Sequence, residues 1–280
     1  MKTLTRRFML VGLGATWAGG ANALGLTPSP DLLGQEWTVT GTAHDPDYTV
    51  WAGFLNAYIK ATPGSVTLVD YAGALADGAD AALSAWLAET QQIDPATLRK
   101  PAQMAWWINL YNAVTVDLVL KHYPVKTIRK INGGWFDLGP WGDEVVTVNG
   151  QRLSLNDIEH RILRPIWRDP RIHYAVNCAS IGCPDLAAEP WRAEGLEGRL
   201  DDAARAYVNH PRGVRIEGGN LIVSSIYDWF AADFGNNDAE VIAHLRRYGA
   251  APLRDQLQGR TSIDGDDYDW SLNATPTGQG

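Results

Sequence analysis

A single α+β domain is what this sequence predicts, with a buried central helix packed on an antiparallel or mixed sheet. Three observations carry that expectation. Residues 102–122 run without Gly or Pro between Pro101 and Pro124 and are apolar almost all round, the pattern of a helix buried on every side. Two β-type runs turn back on themselves through Asn149-Gly150 and Gly218-Gly219, which are two-residue hairpin signals. Amphipathic helical segments are interspersed among these runs, with no internal repeat and no linker.

The first 23 residues read as an address. Lys2, Arg6 and Arg7 lead into an apolar, Gly/Ala-rich stretch, and Ala21-Asn22-Ala23 supplies the small residues of a cleavage site. Thr5-Arg6-Arg7 resembles the twin-arginine export signal. The expectation is a signal peptide over 1–23 and an exported, periplasmic protein. No transmembrane segment is expected after cleavage, because no later stretch is apolar for long enough. Residues 24–44 read as an N-terminal lead-in, 45–273 as the globular domain and 274–280 as a disordered tail.

Within the domain, Val50, Phe54, Leu55 and Tyr58 mark a helix over 48–59. Residues 66–71 read as a short strand, and Leu83, Trp86 and Leu87 mark a helix over 79–90. The central helix follows, then a Gly- and Trp-rich loop over 128–141 and the first hairpin, 145–148 with 151–153. Ser154 and Asp157 form a capping box that opens a helix running to about Arg164, before Pro165. Residues 171–177 read as a strand and 185–191 as a polar loop. Helices over 196–208 and 238–248 flank the second hairpin, 214–217 with 220–224. The aromatic end Tyr268-Asp269-Trp270-Ser271-Leu272-Asn273 is expected to dock on the domain rather than fray.

Composition excludes several classes. The 280 residues carry 24 Lys+Arg against 32 Asp+Glu, a formal net charge of −8, so the basic face of a nucleic-acid binder is not expected. Twelve Trp and 10 Tyr argue against intrinsic disorder, and two Cys cannot make a disulfide-dense scaffold. The expected partner is a small molecule or peptide, and no cofactor is expected.

The chemistry-bearing stretch is residues 171–184. If it is a strand, His173, Ala175 and Asn177 share one face and Cys178 sits where the strand ends. A Cys becomes a nucleophile when a neighbouring group favours its thiolate, so Cys178 is a candidate nucleophile and His173 or His160 its base. Along a strand, however, His173 and Cys178 stand roughly 17 Å apart. A Cys178–Cys183 disulfide is the competing reading, and unreactive thiols are another. Ser180 lies in the loop between the cysteines. A metal site using His173 and nearby carboxylates is weaker, because the Cys and His spacing does not match usual zinc patterns. Asn109 and Asn112 share one face of the central helix, which implies a polar network, structural or lining a cleft. Glu159 and His160 are adjacent and diverge around their helix, so they do not pair simply. Asp228 and Asp233 are candidates to line a pocket.

Together these segments resemble the family called domain of unknown function 547. The resemblance rests on residues 107–113, Tyr123-Pro124-Val125, residues 153–160, 171–173 with 177–184, 225–230 and the 268–273 tail. It spans about 45–273. It implies a fold like the papain and transglutaminase-like group and a thiol-related role. The sequence departs from the papain pattern at Gln103 to Asn109, where that group opens its central helix with the nucleophilic Cys and this chain has none. The expected function is a cysteine-dependent hydrolase or acyltransferase acting on an amide or thiol-containing substrate. In it Cys178 is nucleophile, His173 or His160 base, Asn109 or Asn177 a polar orienter or oxyanion donor and Glu159 a further catalytic residue, and Asn112, Asn177, Ser180, Cys183 and Asp228 bind substrate. The alternative is a non-catalytic cell-envelope binding module with a structural Cys178–Cys183 disulfide.

Overall fold

The computed structural model describes residues 31–61, 64–132 and 139–276. The expected signal peptide, part of the 128–141 loop and the end of the tail lie outside the described residues. Among those described, no helix is long and apolar enough to cross a membrane.

The central helix is α4, Lys100–His122, with Pro101 in its first turn, where a missing N–H costs nothing. Every residue from Ala102 to Leu120 is buried. Helices rather than a sheet surround it: α2 (Tyr71–Ala76), α3 (Ala79–Thr90) and α5, which opens as a wide π-helical stretch, Asp157–Leu163, and continues over Arg164–Trp167. α1 (Thr49–Tyr58) packs on α2 and α3. Several buried polar side chains of α4 are held by partners: Gln103 Nε2 donates to the Val39 and Pro95 carbonyls, and Asp117 takes Ser84 and Lys121.

The expected capping box forms: Ser154 donates through N and Oγ to Asp157, and Asp157 N–H donates back to Ser154 Oγ. Pro165 does not end the helix it opens. Lacking an N–H, it leaves the Arg161 carbonyl free, and Leu33 N–H donates to that carbonyl at 2.9 Å. The lead-in is thereby tied down, and Trp37 within it is buried edge-on against Trp107.

Among the described residues the sheet is divided into small pieces at the periphery. β1 (Ile59–Lys60) pairs β2 (Leu68–Val69), and β3 (Glu144–Val148) pairs β4 (Gln151–Ser154), both antiparallel. β5 (Val214–Glu217) and β6 (Asn220–Ser224) form the second hairpin, and β7 (Gly265–Asp267) adds parallel to β6. Asn149 and Gly150 both have positive φ, 51° and 77°, as a two-residue turn matched to strand twist requires.

The strand expected over 171–177 is not there. Ile172–Ala175 is a single helical turn, α6, and the chain becomes extended at Val176. Asp169-Pro170 explains the difference. Asp169 accepts from Arg171 N–H through its side chain and from Ile172 N–H through its carbonyl, so the backbone is already turning when the apolar run begins. α6 joins two cores. Ile172 and Ala175 pack with α4. Tyr174 packs with α7 (Leu196–Val208), α10 (Asp238–Tyr248) and β5–β6.

The segment after β7 runs back along the loop that follows α6. Ile181 and Gly182 N–H donate to Ser271 and Asp269, Asn273 N–H donates to Ala179, and Asn273 in turn receives Val69 N–H. A Cβ on Gly182 would stand 2.8 Å from Asp269 N, so only glycine permits this approach.

Candidate active site

Asn112 and Asn109 set the position of everything near the thiols. Asn112 Nδ2 donates to the Ala175 carbonyl at 2.9 Å, and its Oδ1 accepts Asn177 N–H at 2.8 Å. The side chain thus clamps the backbone between α6 and Cys178. Asn109 does the same to Trp191, donating to its carbonyl and accepting its N–H, and also accepts Trp51 Nε1–H. Asn177 bridges Pro184 and Ala179. All three are engaged with protein rather than facing a cleft.

Cys178 and Cys183 are free thiols on one loop. Cys178 is partly exposed and Cys183 is buried. Cys178 Sγ lies 3.1 Å from Ser180 Oγ and 3.0 Å from Tyr268 OH, and Cys178 N–H donates to Cys183 Sγ at 3.0 Å. Hydrogen bonding from Cys183 is the chief cause that brings the Cys178 thiol below its ordinary range; Ser180 and Tyr268 add to it against burial. Burial pushes the Cys183 thiol well up. Between them Ala179 holds φ 59°, a left-handed conformation costly for a side chain with Cβ, by roughly 1–3 kcal/mol. Tyr268 belongs to a half-buried aromatic rim: Trp229 at 4.9 Å and Trp270 at 4.7 Å between ring centres, with Trp141 beyond.

The second group is ionic. His173 Nε2 stands 2.7 Å from Asp233 Oδ2 and its Nδ1 3.4 Å from Glu159 Oε1. Arg164 Nε donates to Asp233 at 2.5 Å, and Arg164 also reaches His160 Nδ1 at 3.2 Å. Phe230, on the turn between α8 (Ile226–Trp229) and α9 (Ala231–Phe234), stacks on His173 at 4.2 Å. Burial works against the Glu159 and Asp233 charges, but the surrounding cations win and both sit at about 2. Burial also works against His173, yet its two carboxylate partners raise it overall. His160 falls to about 4 because burial disfavours its charge. With His173 protonated, Arg164, His173, Glu159 and Asp233 sum to zero, which is how four charges coexist out of water.

Among the described residues, neither His173 nor His160 hydrogen-bonds Cys178. Both ring nitrogens of His173 face carboxylates instead. Tyr111 of α4 links the two groups: its hydroxyl bonds Glu159, and burial, Glu159 and both thiols keep it protonated. The structure therefore joins Cys178, Ser180 and Cys183 in one place and Glu159, His160 and His173 in another. Asn109, Asn112 and Asn177 hold backbone, and Asp228 is exposed, its carboxyl raised by burial and by Asp266 and Asp238. Tyr268, Tyr111 and Arg164 were not singled out as site residues from the sequence. The aromatic tail points to Tyr268 and the 107–113 stretch contains Tyr111, but neither pattern says which side chain reaches the site; Arg164 carries no sequence signal.

Two surface clefts lie elsewhere, one of about 530 Å³ between α1 and the 188–192 loop and one of about 190 Å³ between α3, α4 and β3. No group of three or more His, Cys, Asp and Glu among the described residues is arranged to hold a metal.

The buried histidines make stability depend on pH. His160 and His244 both sit at about 4, against 6.5 when unfolded, so the unfolded chain gains protons first as pH falls from 6.5 to 4, and stability drops across that window. His173 acts oppositely, losing its contribution as pH rises through its raised value. We expect the unfolding midpoint to fall between pH 6.5 and 4. His160→Gln should remove from that fall a share on the order of 3 kcal/mol. A melting series at several pH values checks this; an identical fall in the variant would assign it to other groups.

No curated protein and no solved structure matches the chain. A family model does match, over a span narrower than the 45–273 expected from the sequence, so that Asp233 and Tyr268 fall outside it. Residues 95–208, which hold α4, α5, α6, both cysteines, Glu159, His160, Arg164 and His173, match the model of the family described as Protein of unknown function, DUF547.

Proposed function

We propose that this is an exported, periplasmic thiol enzyme in which Cys178 is the nucleophile of an acyl transfer from a thiol-containing substrate, a thioester. The observation that carries the reading is the Cys178 sulfur held by Ser180 and Tyr268, on a residue that is only half-buried, with no imidazole among its partners. When Cys178 ionises, both hydroxyls donate to it, which favours the thiolate. An amide substrate would need a proton delivered to its leaving amine, and the two hydroxyls beside Sγ are poor acids for that, burial holding the Tyr268 proton especially tightly. A thioester needs none, because its leaving group departs as a thiolate. The reading therefore favours the acyltransferase half of the expected activity over amide hydrolysis. Asn273 braces the same loop: its backbone N–H donates to the Ala179 carbonyl, and its Oδ1 accepts Tyr71 OH. On a papain-like or transglutaminase-like scaffold, which we include in the proposal, the nucleophile would be displaced from the start of the central helix to the loop after α6. The Glu159–His173–Asp233 group then positions this loop rather than acting as base.

The test is acylation by a small acetyl thioester, read by intact mass. Wild type should form an acetyl adduct at Cys178. Cys178→Ala should form none, and Tyr268→Phe should slow it about tenfold, the effect of losing a hydrogen bond to a charged group. Acylation of folded protein no faster than of protein unfolded in urea would overturn the reading.

A further inference from the structure

We propose that Cys178 and Cys183 form an attacking and a resolving thiol, so that this site also carries thiol–disulfide exchange on disulfides of small thiols or cysteine peptides. The inference rests on Cys178 as the nucleophile of the function proposed above and adds a role for Cys183.

The geometry is asymmetric in the way such a pair requires. Both cysteines are free, and they sit five residues apart on one loop. Cys178 N–H points at Cys183 Sγ, 3.0 Å away, so the second sulfur sits against the backbone of the first cysteine. Cys178 meets solvent; Cys183 is 5% exposed. The loop between them is fixed on both sides. Tyr207 OH donates to the Gly182 carbonyl at 2.6 Å, and Gly182 N–H donates to Asp269 at 2.8 Å. A buried cysteine serving only as a small apolar filler has no need to face a second thiol.

The chemistry follows from that placement. Cys178 as thiolate attacks one sulfur of a substrate disulfide. A Cys178–substrate bond forms, the substrate S–S bond breaks, and the first product leaves as a thiolate. Until then the Cys178 charge is among the causes that keep Cys183 protonated, after burial itself. The mixed disulfide removes that charge, so Cys183 gives up its proton more readily, to the departing thiolate. Cys183 then attacks Cys178 Sγ and expels the second product as a thiolate. One enzyme thiolate and one thiol become a Cys178–Cys183 disulfide, while the substrate disulfide becomes one thiol and one thiolate. Two electrons pass from enzyme to substrate, and atoms and charge balance. The order follows from burial, because Cys178 is the less buried residue of the two.

The reduced protein, treated with 2-hydroxyethyl disulfide and read by intact mass, decides it. Wild type should release two mercaptoethanol molecules per chain and keep no adduct, ending two hydrogens lighter. Cys183→Ala should release one and keep the adduct on Cys178. A wild type that retains the adduct as the variant does overturns this inference while leaving Cys178 as nucleophile. Reaction at Cys178 no faster than in urea-unfolded protein overturns both. If Cys183→Ala does not fold, the wild-type masses alone separate these outcomes.

Discussion

Replacing Asp233 by Ala is expected to lower stability by about 3–5 kcal/mol, seen as a lower urea midpoint at unchanged slope. A loss that large is a sizeable part of what holds an ordinary domain together. Asp233 Oδ2 serves two cations at once, Arg164 and His173, whose side chains are only 4% and 2% exposed. Truncation takes from both the carboxylate they share and leaves Glu159 as the remaining carboxylate beside His173, away from water. The deficit should also depend on pH. In wild type, His173 keeps its proton above its ordinary range because two carboxylates hold it. Without Asp233 the proton is held less tightly, so raising the pH past 6.5 removes the His173 charge in the variant while costing the wild type its ion pair. The gap between the two proteins therefore narrows with rising pH. Urea unfolding at pH 6 and pH 9 measures it, and an equal gap at both would mean that lost packing, not charge, is responsible.

Asn112→Ala should lower stability by about 2–5 kcal/mol, with no ligand present. The amide holds a buried carbonyl and a buried N–H, those of Ala175 and Asn177, in the way a neighbouring strand would. Truncation orphans both, and each buried backbone group left without a partner costs about 1–3 kcal/mol. Asn109→Ala should behave similarly through Trp191. Equilibrium unfolding measures both. A loss below about 0.5 kcal/mol in Asn112→Ala, the size of an ordinary surface change, would mean the clamp does not form in solution.

Where local chemistry decides structure, the sequence was readable. Asn149-Gly150 and Gly218-Gly219 demand positive φ and so declared both hairpins. The helices over 79–90, 196–208 and 238–248 have the bounds their apolar spacing predicts. The buried central helix was equally plain, because an all-round apolar pattern has few other homes. Residues 171–177 misled because alternation over so short a run does not distinguish a strand from a helical turn, and the Asp169-Pro170 turn outweighed it. That error carried the 17 Å separation of His173 and Cys178 with it. The partners of His173 were legible only by half. Glu159 was in view on the capped helix, but Arg164 and the pairing with Asp233, 60 residues further on, depend on how α5 and α9 pack, which no local pattern encodes. Tyr268 shares that problem at a separation of 90 residues from Cys178.

That last separation bears on how the protein is made. Cys178 and its loop are synthesised well before the segment that supplies Tyr268, the Gly182 contact and Asn273, and Asn273 in turn bonds Tyr71 from 202 residues earlier. Closing loops of this length carries an entropic cost that must be met before their contacts return anything, so such contacts form late. During synthesis the thiol pair therefore exists for a time without its cover, α4 and the hairpins being far more local. The loop that holds the two thiols is therefore assembled in two stages: Cys183 and Ser180 are beside Cys178 from the start, and the Tyr268 hydroxyl joins them only when the fold is complete.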